Sequence, residues 1–307
     1  MQPTIRRFQR RMKRVGNAVI GALTVGLLKL LARIDADFMA DLAGWFMRTV
    51  GPFLPENRIG RANLVAAFPE KSPAEIASIL SGVWDNLGRM AAEFARLDQL
   101  SDFDPWHPDR PSRIEARQAD IDRFFKLFHS GKPSLVFAAH FGNWELPAVC
   151  AASCKINSAV LYRRPNVPAI DRWLHKTRAA TMGTLISTSL DAPVRLANAL
   201  ENGIHVGMLV DQYYGRGVDV TFFGRRTKAN PLLARLARHF DCPIHGTRVV
   251  RLPNHRFRAE LTEEIEPVRD ERGKIDVAAT TQRITTVVEN WIREYPEQWL
   301  WLHRRWR

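Results

Sequence analysis

Between residues 73 and 97, Ile76, Ile79, Leu80, Val83, Leu87, Met90 and Phe94 recur at helical spacing, the pattern of an amphipathic helix. Ser72-Pro73 with Glu75 just inside marks its start, and residues 36–104 read as helical throughout. The proline-rich stretch 104–113 (DPWHPDRPSR) breaks that rhythm. From residue 118 the pattern changes. Ile121, Phe124, Phe125 and Phe128 form one helix face, Ser130-Gly131-Lys132-Pro133 punctuates it, and the apolar run Leu135 to Ala139 reads as a buried strand. Further strands are predicted at 158–162, 184–188, 204–210, 219–223, 243–251 and 256–264. Helices are predicted at 144–154, 168–181, 191–202, 230–240 and 279–294. This alternation predicts an α/β domain with a mostly parallel sheet flanked by helices.

The N-terminus differs. Arg6, Arg7, Arg10, Arg11, Lys13 and Arg14 precede an uncharged run at 15–28, and residues 1–14 hold no acid. A signal peptide would have a shorter charged head and a small-x-small cleavage site, which is not evident before Asp35. A span needs about 20 apolar residues; residues 15–34 reach that length if Lys29 and Arg33 snorkel. The expected element is an uncleaved membrane-anchoring helix within 1–34, spanning or interfacial, with its basic head on the cytoplasmic side. The alternative is a basic amphipathic helix packed on its own domain. The remainder, 35–307, divides into a helical part at 35–104 and an α/β part at 118–307.

Composition narrows the setting. Hydrophobic residues are 46% and charged residues 25% of the chain, which suits a packed core. A net charge of +13 attracts polyanions, whether nucleic acid, anionic lipid, phosphorylated substrate or acidic protein. Nine Trp and sixteen Phe tilt that choice towards a membrane surface. Terminal Trp301 and Trp306, interleaved with His303, Arg304, Arg305 and Arg307, would face anionic headgroups; a nucleic-acid reading lacks a motif. Three cysteines, Cys150, Cys154 and Cys242, make no disulfide framework and too few ligands for zinc. Cys242 with His245 would allow a thiol nucleophile, against plain burial in a strand. Arg225, Arg226 and Lys228 read either as a lipid-phosphate contact or as a solvated loop. No G-x-S-x-G and no glycine-rich nucleotide loop occurs.

Chemistry concentrates in FAAHFGNWE, residues 137–145. His140 leaves a buried strand, and Phe141-Gly142-Asn143 turns into a helix, which places the imidazole at the crevice where open α/β sheets bind ligands. Near neutral pH His140 can take a proton from a hydroxyl. Glu145 is expected to turn back and hold the other ring nitrogen. A base and an orienter without a protein nucleophile point to direct attack of a substrate hydroxyl on an activated acyl group. His255 and Glu260 share the spacing but lie in an apparent strand, on opposite faces.

HFGNWE resembles the His-x4-acid block of glycerolipid-type acyltransferases, and the chain resembles in particular the late acyltransferases of lipid A biosynthesis, the lauroyl/myristoyl family. The likeness includes the basic N-terminus, NLVAAFP (63–69), YRRPN (162–166), Asp211-Gln212, FFG (222–224) and the ending YPEQWLWLHRRWR (295–307). It implies His140 as general base, Glu145 as its acidic partner, and an arginine needed for activity at Arg164, with Arg163 beside it in the doubled pair. Asp211 matches the acid of an Asp-Gln/His-Asp block, whose second acid is replaced here by Tyr213. The resemblance further implies acyl carrier protein as donor and a hydroxyl of the phosphorylated disaccharide lipid A precursor as acceptor. It implies no metal and no organic cofactor, and an active domain on the cytoplasmic side of a bacterial inner membrane. The competing readings are a glycerophospholipid acyltransferase and a non-catalytic membrane-docked binding protein.

Overall fold

The alternating pattern folds into a seven-stranded sheet. The computed structural model describes Gly26 and residues 34–100, 102–164 and 168–307. The strands are β1 (Ile114–Ala116), β2 (Leu135–Ala138), β3 (Ser158–Tyr162), β4 (Thr184–Ser187), β5 (His205–Leu209), β8 (Ile244–Arg251) and β9 (Phe257–Leu261). Neighbours from β8 through β2, β5 and β3 to β4 run parallel. β9 reverses against β8, and β1 follows β9. The sheet is thus mostly parallel, as expected. β6 (Val218–Phe222) and β7 (Arg225–Ala229) form a separate hairpin, so Arg225, Arg226 and Lys228 sit on a strand rather than in a loop.

Strand alternation divides the sheet into two unlike faces. Leu135, Phe137, Val206 and Met208 enter a large core with Trp291, Ile284 and Val288 of α10 (Val277–Glu294) and Leu233 and Leu236 of α9 (Leu232–Phe240). α8 (Ala192–Glu201) adds Leu196 to the same face. The opposite face is covered by α5 (Gln118–His129), α6 (Leu146–Ser153) and α7 (Pro168–Thr181), and it is incompletely filled. That void is the candidate site.

The helical part comprises α1 (Ala36–Val50), α2 (Pro55–Ala67) and α3 (Pro73–Glu93), followed by α4 (Leu97–Leu100). Ser72 and Glu75 close a capping box at the start of α3. Leu64, Ile76, Leu80 and Trp84 join the same core as the sheet residues, so the helices and the sheet share one interior. Among the described residues no helix is long and apolar enough to cross a membrane. The anchor expected at 1–34 lies outside the described residues apart from Gly26 and Ile34. The expected lipid contact by Trp301 is corrected: its ring is 0% exposed, and it donates to the Pro296 carbonyl. Arg305 is likewise buried, donating to Thr227 and the Lys228 carbonyl. Trp306 packs against Phe222 and under the Arg225 guanidinium.

Candidate active site

Each residue of the HFGNWE turn has a distinct task. His140 stands two residues beyond β2, at the carboxyl end of the parallel strands. Phe141 is buried and bridges to Trp299, while Gly142 N–H donates to the Gln298 carbonyl and Leu300 N–H to the His140 carbonyl. The C-terminal segment therefore clamps the turn. Gly142 has φ +55°, and a Cβ there would lie 2.0 Å from the Val249 carbonyl oxygen, so only glycine fits. Asn143, fully buried, donates to Glu93 at 2.8 Å and accepts from the Glu145 N–H at 3.2 Å. Glu93 is itself held by Arg251. The Trp144 ring meets the imidazole edge to face at 5.2 Å between centroids.

The partner of His140 is Asp211, not Glu145. Asp211 Oδ1 lies 2.9 Å from His140 Nδ1, and its Oδ2 accepts from the His140 backbone N–H at 2.9 Å and from Trp299 Nε1 at 2.7 Å. Burial opposes ionisation of Asp211, yet the His140 ring and the N–H donors outweigh it and hold the carboxyl well below the usual carboxylate range. An ionised acceptor at Nδ1 fixes the proton there and leaves Nε2 with its lone pair, close to the Gln212 side chain at 3.3 Å. His303 sits behind, stacked edgewise on Trp299; burial lowers its pKa, which keeps it neutral.

Glu145 is committed elsewhere. Both its oxygens take the guanidinium of Arg178 on α7, with Nε to Oε2 at 2.9 Å. Arg178 also lies over the rings of Phe94 and Tyr162. The helix in sequence gives Arg178 no distinguishing sign, because arginine is ordinary on a solvated helix face. Arg163 borders the cavity, whereas Arg164 is exposed and is not among the residues that line it. Residues 165–167 of the YRRPN block lie outside the described residues. The second His-x4-Glu pair does not come together. His255 is in a turn beside Asp41, and Glu260 is bound by Arg248 and Arg258.

His140, Trp144, Glu145, Arg178 and Gln212 stand at a cavity of about 600 Å³. Its floor is the loosely filled sheet face, with Val136, Ala138, Val160, Gly207 and Leu209, and α6 and α5 roof it with Ala148, Ala151, Ile121 and Phe124. The lining is mainly apolar beneath a polar mouth, the make-up of a site for an aliphatic ligand. Burial pushes the Cys154 and Cys242 thiols up to about 11, so neither supplies a thiolate near neutral pH. No group of three or more metal-ligating side chains occurs among the described residues.

The Escherichia coli (strain K12) protein named lipid A biosynthesis palmitoleoyltransferase is 25% identical over 291 residues, covering 92% of this chain and 89% of the relative. A Shigella flexneri protein named lipid A biosynthesis acyltransferase matches at the same identity and coverage. The family model described as bacterial lipid A biosynthesis acyltransferase matches residues 5–307. With the family's motif folded around an imidazole at the head of an apolar cavity, the chain belongs to the bacterial lipid A biosynthesis acyltransferases, enzymes that transfer acyl groups.

Proposed function

We propose that the protein moves a fatty acyl chain from the thioester of acyl carrier protein to a hydroxyl of the phosphorylated disaccharide lipid A precursor, at the cytoplasmic face of a bacterial inner membrane. One observation carries the chemistry: His140, held through Nδ1 by buried Asp211, presents Nε2 at the mouth of an apolar cavity. The acceptor hydroxyl gives its proton to Nε2 as its oxygen bonds to the thioester carbonyl carbon. The tetrahedral intermediate then expels the carrier's thiolate, breaking the C–S bond, and the imidazolium returns the proton to sulfur. The Gln212 amide, 3.3 Å from Nε2, supplies a side-chain donor to the oxyanion. Asp211 stabilises the imidazolium and fixes the tautomer. Glu145 acts through Arg178, fixing that guanidinium in the cavity wall; Arg163, at the border, is suited to an anionic group of either substrate. The carrier is acidic and the acceptor phosphorylated, so the net charge of +13 favours both encounters. The reaction needs no cofactor.

The acyl chain occupies the cavity over β2, β3 and β5. From Leu209 back to His205 the floor extends about 13 Å at ~3.3 Å per residue. Gly207 lies midway, and a Cβ there would meet only Val160 Cγ2, at 3.9 Å. Gly207→Leu is therefore expected to fold and to fill part of the floor. Competition between carrier-bound chains of graded length, read by mass spectrometry of the product, should show the preferred chain shortened by at least two carbons. An unchanged preference with full activity would place the chain elsewhere.

A further inference from the structure

α1 is amphipathic in the inverted sense. It packs on α3 through small residues, Ala40 and Gly44, and Gly44 lies so close to Asp85 and Arg89 that a Cβ would collide with Asp85. Its large apolar side chains point away. Phe38, Leu42, Trp45 and Phe46 are 57%, 41%, 57% and 52% exposed, on one stripe at helical spacing, and Phe53 just beyond the helix is 87% exposed. A soluble surface rarely gathers so many large apolar groups without a partner.

We propose that this stripe lies in the interfacial region of an anionic bilayer and aims the active site at the membrane. Charge selects the occupant. The acids of α1 are each paired towards the protein, Asp37 with Arg113 and Asp41, exposed at the edge of the stripe, with Arg89, so neither stands as a free charge beside the apolar side chains. Arg48 flanks it, and in the chain the uncharged run 15–28 and the six basic residues of 1–14 precede it. A tryptophan among aliphatic and phenyl groups, beside cations, matches the headgroup boundary of an anionic leaflet. The placement also serves the chemistry. His255, in the turn that ends β8, contacts Asp41, and β8 runs parallel to β2. α1 therefore stands at the end of the sheet where His140 emerges. The surface rests on the lipid-acceptor reading for its purpose only. Its test reads contact rather than turnover, so the two fail separately.

The test places the photoreactive residue p-benzoylphenylalanine at Phe46 in the full-length protein, with Val194, 61% exposed on α8, as the comparison site. Each protein is reconstituted with phosphatidylethanolamine–phosphatidylglycerol vesicles, irradiated and analysed by mass spectrometry. Phospholipid adducts at position 46 are expected to exceed those at 194 at least tenfold. Adducts to a second copy would mean an oligomer interface, adducts to residues 1–33 of the same chain an intramolecular cover, and equal lipid labelling at both positions an unspecific contact; each would overturn the proposal.

Discussion

His140→Ala is expected to abolish nearly all acyl transfer while leaving the fold intact. Loss of a positioned general base removes about 10²–10⁴ in rate, and the upper end is expected because, among the described residues, the side chain bonded to Nε2 is the Gln212 amide, which is no base. Folding should survive because the imidazole faces the cavity and the turn is held by backbone bonds to Gln298 and Leu300 that the substitution leaves alone. Turnover with an acyl carrier protein donor, alongside a denaturation midpoint, separates the two effects. A variant that keeps tenth-scale activity would show that His140 is not the base.

Asp211→Asn should approach the same loss, about 10³–10⁴ in kcat, since an amide in place of the carboxylate can donate to Nδ1 and trap the wrong tautomer. Combined with His140→Ala it should add little, because the two act as one unit. The pH profile supplies a second check. Asp211 is ionised far below neutrality, so Asp211→Asn removes a charge from the site at every pH assayed and should move the acid limb of the profile. Glu145→Gln is expected to behave differently. It breaks the ion pair of a buried carboxylate with the partly buried Arg178 guanidinium, a change expected to cost less than the about 3–5 kcal/mol of a fully buried pair, and it should leave the position of the acid limb unchanged. If instead Glu145→Gln moves that limb and Asp211→Asn does not, the pairing described here is wrong.

The contrast shows what a linear sequence carries. Strands β2, β3 and β5 were legible because a parallel sheet covered on both faces requires short, largely apolar runs between helical segments. β7 was not, because Arg225, Arg226 and Lys228 break any apolar pattern, and the strand is held by its pairing with β6. β1 is three residues at an edge, following a proline-rich stretch, too short to show a period. His140 was legible from its strand-turn setting, but its partner was not. Spacing favoured Glu145, five residues away, whereas the carboxylate that reaches Nδ1 comes from residue 211 on the neighbouring strand's exit, beside β2 in the sheet. The family motif flagged Asp211 without saying what it touches. Trp301 is expected from its basic-aromatic surroundings to face lipid, yet with Trp299 it forms the wall behind the site, Trp299 holding Asp211 and Trp301 packed edge to face against it.

Transfer from a carrier thioester to the disaccharide lipid can be read by incubating the purified full-length enzyme with acyl carrier protein loaded with one defined acyl chain and weighing the products made from two acceptors, the phosphorylated disaccharide lipid A precursor and an acylated glycerol phosphate. The disaccharide is expected to gain the mass of one fatty acid less water, the carrier thiol to be freed in equal amount, and His140→Ala to give neither. Acylation of the glycerol phosphate alone, or equal transfer by the His140→Ala protein, would contradict it.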